Sequence, residues 1–238
     1  RVENVKITPL LSEEKVILEY ETLNADGLSI ESIVTFDDSV VGSSLVEVLD
    51  GKCKCEISLA EKVMLWDIEN PNLYDLHIKL VDNGVVVDSV LSYFGLREVK
   101  ASNGKIYLNG KELYQKLVLD QGYFLESHLS APSNQALYED ITKMIELGFN
   151  GCRKHQKIED ERFIYYADVL GYLMWCEMPS MYANTSLSRA TFEVEWLQIV
   201  KQHYNHPCII TWTPLNESWG VEHIKTRSVE QDFANLIY

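Results

Sequence analysis

Apolar and polar residues alternate in short runs along the first part of the chain, up to about residue 97. Leu76-His77-Ile78-Lys79-Leu80 has a period of two, which places its apolar side chains on one face of a strand. Turn signals such as Asp50-Gly51 and Asp82-Asn83-Gly84 separate the runs. The pattern predicts six or seven strands in an antiparallel sandwich, with runs at 5–7, 16–20, 29–35, 53–59, 73–80 and 85–93.

After residue 98 the pattern changes to strands that alternate with amphipathic helices. Four strand-helix units follow one another, which predicts a parallel sheet. The predicted helices begin after caps such as Ser133 and Ser188, and two of them end at Gly148 and Gly171. The predicted strands cover 113–119, 149–153, 172–176 and 208–213, and the helices cover 133–148, 160–170, 189–204 and a segment from about 228.

The loop lengths in this second part indicate where a site would lie. Long loops, 120–133, 177–188 and 214–227, follow the predicted carboxyl ends of three strands, whereas the helix-to-strand connections are short. Parallel α/β proteins build their sites at that edge. A glycine-rich phosphate loop follows none of these strands, which disfavours a nucleotide-binding fold.

The net charge of the chain argues against nucleic acid and membranes as binding partners. The 238 residues are 46% hydrophobic and carry 36 acidic against 21 basic side chains, a net charge of -15. Such a surface repels nucleic acid and anionic membranes, so we expect neither as a partner. No apolar run approaches the roughly 20 residues that span a bilayer. The first residues, 1–5, do not resemble a signal peptide, which is compatible with a cytoplasmic protein.

Cysteine and histidine do not indicate a metal site. The five cysteines lie mostly in apolar strand-like runs, which predicts reduced thiols in the core. Cys53 and Cys55 share one face of a predicted strand, but no further ligands stand beside them. His203 and His206 are three residues apart, and packing or helix capping explains them better than zinc.

The strongest chemical signal is the segment 212–220, Trp-Thr-Pro-Leu-Asn-Glu-Ser-Trp-Gly. It places the carboxylate of Glu217 after an apolar strand, with the amide of Asn216 before it and the indoles of Trp212 and Trp219 on either side. An acid can protonate a glycosidic oxygen, an amide can bind a hydroxyl, and an indole can stack on the apolar face of a pyranose. The alternative is a solvated glutamate in an ordinary loop.

Four segments together resemble glycoside hydrolase family two, which includes β-galactosidases, β-glucuronidases and β-mannosidases. The matching motifs, in order, lie at 65–76 (Trp66 with Pro71-Asn72-Leu73-Tyr74), 94–111, 144–154 (ending Gly-Phe-Asn-Gly-Cys-Arg-Lys) and 216–218 (Asn-Glu-Ser). The resemblance implies an immunoglobulin-like sandwich over 1–97. It also implies that 98–238 form the first half of a TIM (β/α)8 barrel, with about four βα units.

The resemblance also implies roles for particular residues. Glu217 would be the general acid/base, kept protonated near neutral pH by burial beside Trp212 or Trp219. Asn216 would bind the sugar 2-hydroxyl, and Arg153 would steady the nucleophile. The substrate-binding residues expected from the sequence are Asn216, Arg153, His155, Asp120 and Trp219.

Several of these assignments have open alternatives. Arg153 could form only a surface salt bridge, and Asp120 could be a turn residue. His155 departs from the commoner family spacing because the run reads Arg153-Lys154-His155-Gln156-Lys157. Glu177 ends a predicted strand and could serve the site or pair with Arg153.

The chain is shorter than family members, and an eight-stranded barrel needs about 250 residues. We therefore expect a truncated piece that lacks the nucleophilic glutamate, so that the chain alone is inactive and dimerises or aggregates. The expected partner is a β-glycoside, with no cofactor and no metal, and the full-length protein could be a homo-oligomer. The competing hypothesis is a non-catalytic carbohydrate-binding or scaffold protein that keeps the glycosidase-like fold.

Overall fold

The computed structural model describes residues 1–59 and 63–238, which form two compact units. The first contains residues 1–114 with 204–207, and the second contains 115–203 with 208–238. Within the described ranges, no helix is both long and apolar enough to cross a membrane.

The first unit is built on two antiparallel sheets that share one core. Three strands form the first sheet in the order β1-β2-β5, and four form the second in the order β4-β3-β6-β7. Buried side chains from both sheets, among them Leu18, Ile30 and Leu76, pack into a single cluster. The predicted antiparallel sandwich is therefore confirmed. Its strands are β1 (Val2–Leu10), β2 (Lys15–Thr22), β3 (Ser29–Phe36), β4 (Ser39–Glu47), β5 (Lys52–Ser58), β6 (Tyr74–Asp82) and β7 (Val85–Phe94).

The hydrophobic pattern did not predict the position of strand β4. It contains three serines and a glycine, lies at the edge of its sheet, and has no buried residue. Its inward positions combine Val46 with Gly42 and Ser44, so the strand lacks the alternation of apolar and polar residues that marks a half-buried strand. Pairing with β3 over the whole strand identifies it instead.

We predicted that residues 98–114 belong to the same unit as the parallel sheet. In the structure they group with the sandwich instead. They form a small antiparallel sheet of β8 (Val99–Ser102), β9 (Lys105–Leu108) and β10 (Lys111–Glu112). The side chain of Asn109 accepts a hydrogen bond from the Glu98 backbone N–H and donates one to the Trp66 carbonyl, at 2.9 and 3.0 Å. These contacts explain why the first compact unit extends beyond residue 97.

The second unit is a parallel four-stranded sheet with helices between its strands, as predicted. Strand order follows sequence order, and all three pairings are parallel. The elements are β11 (Leu117–Asp120), α1 (Asn134–Glu146), β12 (Gly151–Lys154), α2 (Glu161–Leu170), β13 (Leu173–Glu177), α3 (Ser186–His203), β14 (Ile209–Thr213) and α4 (Ser228–Ile237).

Side-chain caps set the helix ends, and one of them differs from the prediction. The Ser133 hydroxyl accepts from the Ala136 N–H and starts α1, and Gly171 ends α2 in a left-handed conformation, both as expected. Helix α3 begins earlier than predicted because its cap is Thr185. The Thr185 hydroxyl accepts from the Ser188 N–H while the Ser188 hydroxyl accepts from the Thr185 N–H, which is a reciprocal capping box.

Four of the five cysteines are buried, and Cys53 is half-buried. All five are free thiols, as the sequence predicted. Cys53 and Cys55 lie on the same face of β5, and burial together with the neighbouring thiol raises the pKa of Cys53 to about 11. Cys53 therefore stays a neutral, unreactive thiol near neutral pH.

Candidate active site

Strand register sorts the candidate side chains onto the two faces of the parallel sheet. Arg153 is level with Trp175, and Lys154 is level with Asp120. Since side chains alternate along a strand, Arg153 and Lys154 point to opposite faces of β12. Glu177 lies two residues after Trp175 on β13 and shares the face of Arg153.

The guanidinium of Arg153 joins three strand ends on the first face. Its Nε donates to Glu177 Oε2 at 2.6 Å, and its Nη2 donates to Asn216 Oδ1 at 2.5 Å. Because arginine has only donors, it must face the oxygen of the Asn216 amide, which turns the amide nitrogen away as a donor. The Arg153 side chain is partly open to solvent, whereas Asn216 is buried. Arg153 therefore does more than form the surface salt bridge that the sequence left open.

The carboxylate of Glu177 completes this arrangement. It is fully buried, and its Oε1 accepts from the backbone N–H of Gln156 at 2.9 Å and lies 2.9 Å from His155 Nδ1. A buried carboxylate with an arginine and a backbone donor is held in one position. Sequence reasoning left the role of Glu177 open, although an acid at the carboxyl end of a buried parallel strand was the signal for it.

Glu217 lies at the tip of a tight turn after β14. Both Glu217 and Ser218 have left-handed backbones, with φ of 51° and 59°, and the Trp219 N–H donates to the Asn216 carbonyl at 3.0 Å. This turn presents the Glu217 side chain to solvent, one residue from the buried Asn216. Non-glycine residues rarely adopt this conformation, and such strain persists where the surroundings require it.

The predicted burial of Glu217 beside Trp212 or Trp219 is wrong for the residues that the structure describes. Trp212 is level with Cys176 and packs edge-to-face on Trp196 of α3, which is the helix side of the sheet. Trp219 is itself 43% exposed. Sequence proximity misled here because successive strand residues face opposite ways.

The other face of β12 carries a separate, buried ion network. The Lys154 ammonium is 1% exposed and lies 2.5 Å from Asp120 Oδ2 and 2.7 Å from Glu159 Oε2. Lys157 pairs with the same Glu159 at 3.0 Å. Burial alone would lower the pKa of Lys154, but the carboxylates of Glu159 and Asp120 outweigh it and raise that pKa above its usual value.

The predicted site residues therefore divide into two groups. Arg153, His155 and Asn216 belong to one network through Glu177, and Glu217 and Trp219 lie in the turn that follows Asn216. Asp120 belongs to the other network, and both of its oxygens have protein partners, Lys154 and the Gly122 N–H at 2.7 Å. Asp120 therefore has the structural role of a turn residue, which was the alternative to substrate binding in the sequence analysis. Across residues 1–59 and 63–238, no three His, Cys, Asp or Glu side chains group as metal ligands.

Comparison with known proteins identifies the family. The sequence profile "Glycosyl hydrolases family 2" matches residues 1–97. A protein of Formosa agariphila that carries a provisional β-glucuronidase name is 30% identical over 226 residues, or 89% of this chain and 27% of the relative. The chain belongs to glycoside hydrolase family 2. A β-galactosidase of Lactococcus lactis is 29% identical over 74% of the chain and 19% of the relative.

Solved structures of family 2 proteins share the fold. A β-glucuronidase from Ruminococcus gnavus superposes with a TM-score of 0.85 at 19% identity, covering 99% of this chain and 40% of that protein. Bacteroides uniformis β-glucuronidase 3 gives 0.84 at 21% identity, covering all of this chain and 31% of that protein. This family 2 chain thus spans well under half the length of the relatives that it matches.

Proposed function

We propose that this chain provides the acid/base side of the active site of a retaining β-glycosidase, with Glu217 as the general acid/base. The observation that carries the proposal is the anchored Asn216, which the Arg153–Glu177 pair holds directly before Glu217 at the carboxyl edge of a parallel sheet. Named glycoside hydrolases among the relatives support it. In this proposal the four βα units are the first half of a TIM barrel, whose sites lie at that edge.

Asn216 would bind a hydroxyl group of the sugar. Its amide oxygen is taken by Arg153, so the amide nitrogen is the group that can donate to the substrate. A hydrogen bond to the sugar 2-hydroxyl strengthens as the oxocarbenium-like transition state forms. Arg153 and Glu177 would act as positioning residues that fix this amide.

Glu217 would protonate the glycosidic oxygen as the leaving group departs and then take a proton from the attacking water. Its exposure on the turn leaves the carboxyl group free of protein partners among the described residues, so it can reach a bound glycoside. In a retaining enzyme the second carboxylate lies about 5–5.5 Å from the acid/base.

The later glutamates of this chain are poor candidates for the nucleophile. Glu222 accepts from the Gly220 N–H at 3.3 Å, and the buried Glu230 accepts from the His223 N–H at 2.7 Å and lies 3.7 Å from Arg227. We therefore propose that the nucleophile is outside these 238 residues and that the chain alone does not turn over glycosides. Robust hydrolysis by the purified 238-residue chain would contradict this part of the proposal.

The test uses the complete gene product that contains this chain. Aryl β-galactosides, β-glucuronides, β-mannosides and β-glucosides are assayed with wild type, Glu217→Gln and Glu222→Gln. Glu222 is the matched control because it is an exposed glutamate in the same loop. One sugar class should be cleaved, and Glu217→Gln should lower its rate about 10²–10⁴-fold while Glu222→Gln leaves it unchanged.

Two other results would redirect the interpretation. A Glu217→Gln rate equal to wild type would overturn the assignment of the acid/base. If the wild type binds glycosides but hydrolyses none of the four, the non-catalytic carbohydrate-binding alternative becomes the better account.

A further inference from the structure

Two large aromatic side chains lie side by side at the carboxyl edge of the parallel sheet, in the loops after β13 and β14. Tyr182 is 71% exposed and Trp219 is 43% exposed. Their ring centroids are 5.6 Å apart at an interplanar angle of 64°. Large aromatic rings usually bury most of their surface, so an exposed pair in mutual contact is characteristic of a binding surface.

The two loops that carry these rings are locked together. The Asn184 side chain donates to the Gly220 carbonyl at 2.5 Å, and Arg189 in turn donates to the Asn184 side-chain oxygen. Gly220 has a φ of 79°, and a Cβ there would lie 2.4 Å from the Met181 carbonyl oxygen. Only glycine fits this approach, so the aromatic pair is held on a preformed surface.

Burial decreases from Asn216 to the aromatic pair, and this difference indicates how a bound glycoside would be oriented. Asn216 is buried and anchored, Glu217 at the turn is exposed, and the exposed Trp219 follows two residues later. The sugar whose glycosidic bond breaks must contact Asn216, while the acid must reach the oxygen that joins this sugar to the leaving group. Because Glu217 and both rings are exposed whereas Asn216 is buried, we assign the rings to the open, leaving-group side of the site.

We propose that Tyr182 and Trp219 form an aromatic platform for the leaving group of a β-glycoside, with one ring stacked on the flat apolar face of that group and the other ring, inclined by 64°, against its edge. This inference rests on the proposed function, because it takes Glu217 as the acid that faces the glycosidic oxygen. It adds Tyr182 to the substrate-binding residues and assigns Trp219 to the leaving-group subsite. Among the described residues, neither the Tyr182 hydroxyl nor the Trp219 indole N–H has a hydrogen-bond partner, so both can also bind leaving-group hydroxyls.

The experiment measures binding directly and needs no turnover. The complete gene product that contains this chain, carrying Glu217→Gln to slow hydrolysis, is titrated with matched methyl and phenyl β-glycosides of galactose, glucuronic acid, mannose and glucose. The NMR signal of the Trp219 indole N–H, assigned with Trp219→Phe, reports occupancy. Tyr182→Ala is compared with Leu187→Ala, a control at an exposed side chain in the first turn of α3.

The proposal predicts a saturable shift of the Trp219 signal and tighter binding of a phenyl than of the matching methyl glycoside. Tyr182→Ala should weaken phenyl glycoside binding by roughly 3- to 10-fold, the range that an aromatic contact supports, and leave methyl glycoside binding unchanged. Leu187→Ala should change neither. Equal binding of the phenyl and methyl glycosides, an unaffected Tyr182→Ala, or no saturable shift would overturn the platform.

Failure of the platform is distinguishable from failure of the proposed function. If Glu217→Gln abolishes hydrolysis but Tyr182→Ala leaves phenyl glycoside binding unchanged, only the platform is wrong. If phenyl glycosides bind through Tyr182 but the complete gene product hydrolyses nothing, the aromatic contact stands and the acid/base assignment is wrong.

Discussion

Arg153 and Lys154 are neighbours on β12, yet they occupy opposite environments. The Arg153 side chain is 30% exposed, pairs with one carboxylate and uses its other end to orient an amide. The Lys154 side chain is 1% exposed, pairs with two carboxylates and lies 3.9 Å from the centre of the Phe163 ring. The two cations have the same formal charge, and their environments differ because they point to opposite faces of the strand.

The difference shows how one strand can carry both a site and its support. On the Lys154 face, each charged group of the network lies within 3.0 Å of a group of opposite charge, and solvent has little access. On the Arg153 face, the network ends at the Asn216 amide, whose nitrogen points away from Arg153. The exposed acid Glu217 follows one residue later. A network that ends in hydrogen-bonding groups without protein partners is suited to bind a ligand. A closed network, in which the charged groups pair with one another, is suited to hold loops in place.

Lys154→Met should produce the largest change, and it should appear in stability. The substitution keeps the side-chain bulk but leaves the Asp120 carboxylate without its cation and the buried Glu159 carboxylate with Lys157 alone. We expect the free energy of unfolding to fall by about 3–5 kcal/mol. Urea denaturation of the chain measures it.

The control for that measurement is Lys143→Met, which removes an exposed lysine paired with Glu139 on α1. Its loss should be no more than about 1 kcal/mol. Equal losses for the buried and the exposed lysine would show that the closed network is not a structural support.

Arg153→Lys should produce the next largest change, and it should appear in activity. A lysine keeps the charge beside Glu177, but one ammonium cannot reproduce the two directed contacts to Glu177 and Asn216. We expect kcat/KM of the complete gene product to fall by about 100-fold through misplacement of the amide. The free energy of unfolding should fall by no more than about 2 kcal/mol.

Arg162→Lys is the matched control, because Arg162 is an exposed arginine that pairs with Asp160 at the start of α2. It should leave kcat/KM unchanged. If Arg153→Lys behaves like this control in the activity assay, the Arg153 face does not position the site.

Sequence reasoning predicted the antiparallel and parallel sheets and most residues of the candidate site, because these predictions depend on local patterns. Alternating apolar residues indicated the sandwich strands, and long loops after the parallel strands indicated the edge that carries Asn216 and Glu217. It did not show that Asp120 and Arg153 face opposite ways, because that follows from strand register. Nor did it show the contact of Tyr182 with Trp219, because the two residues come from different loops, which the Asn184–Gly220 hydrogen bond joins.

Asp160→Ala should produce the smallest change and should depend on pH. Hydrogen bonds from the Arg162 side chain and backbone N–H lower the pKa of Asp160 to about 2, and the carboxylate caps α2. Its contribution is therefore present above the unfolded pKa of about 3.9 and is lost as the pH falls towards 2. We expect a cost of about 1 kcal/mol at pH 7 that disappears near pH 2. A cost that does not change between these pH values would contradict the capping role.

The leaving-group dependence of Glu217→Gln tests the central claim most directly. In the complete gene product, kcat/KM is measured for phenyl and 2,4-dinitrophenyl glycosides of the sugar that the wild type cleaves. A poor leaving group needs a proton and a good one does not, so the account predicts a large loss for the phenyl glycoside and a near-normal value for the dinitrophenyl glycoside. An equal loss for both would contradict the assignment of Glu217 as the general acid.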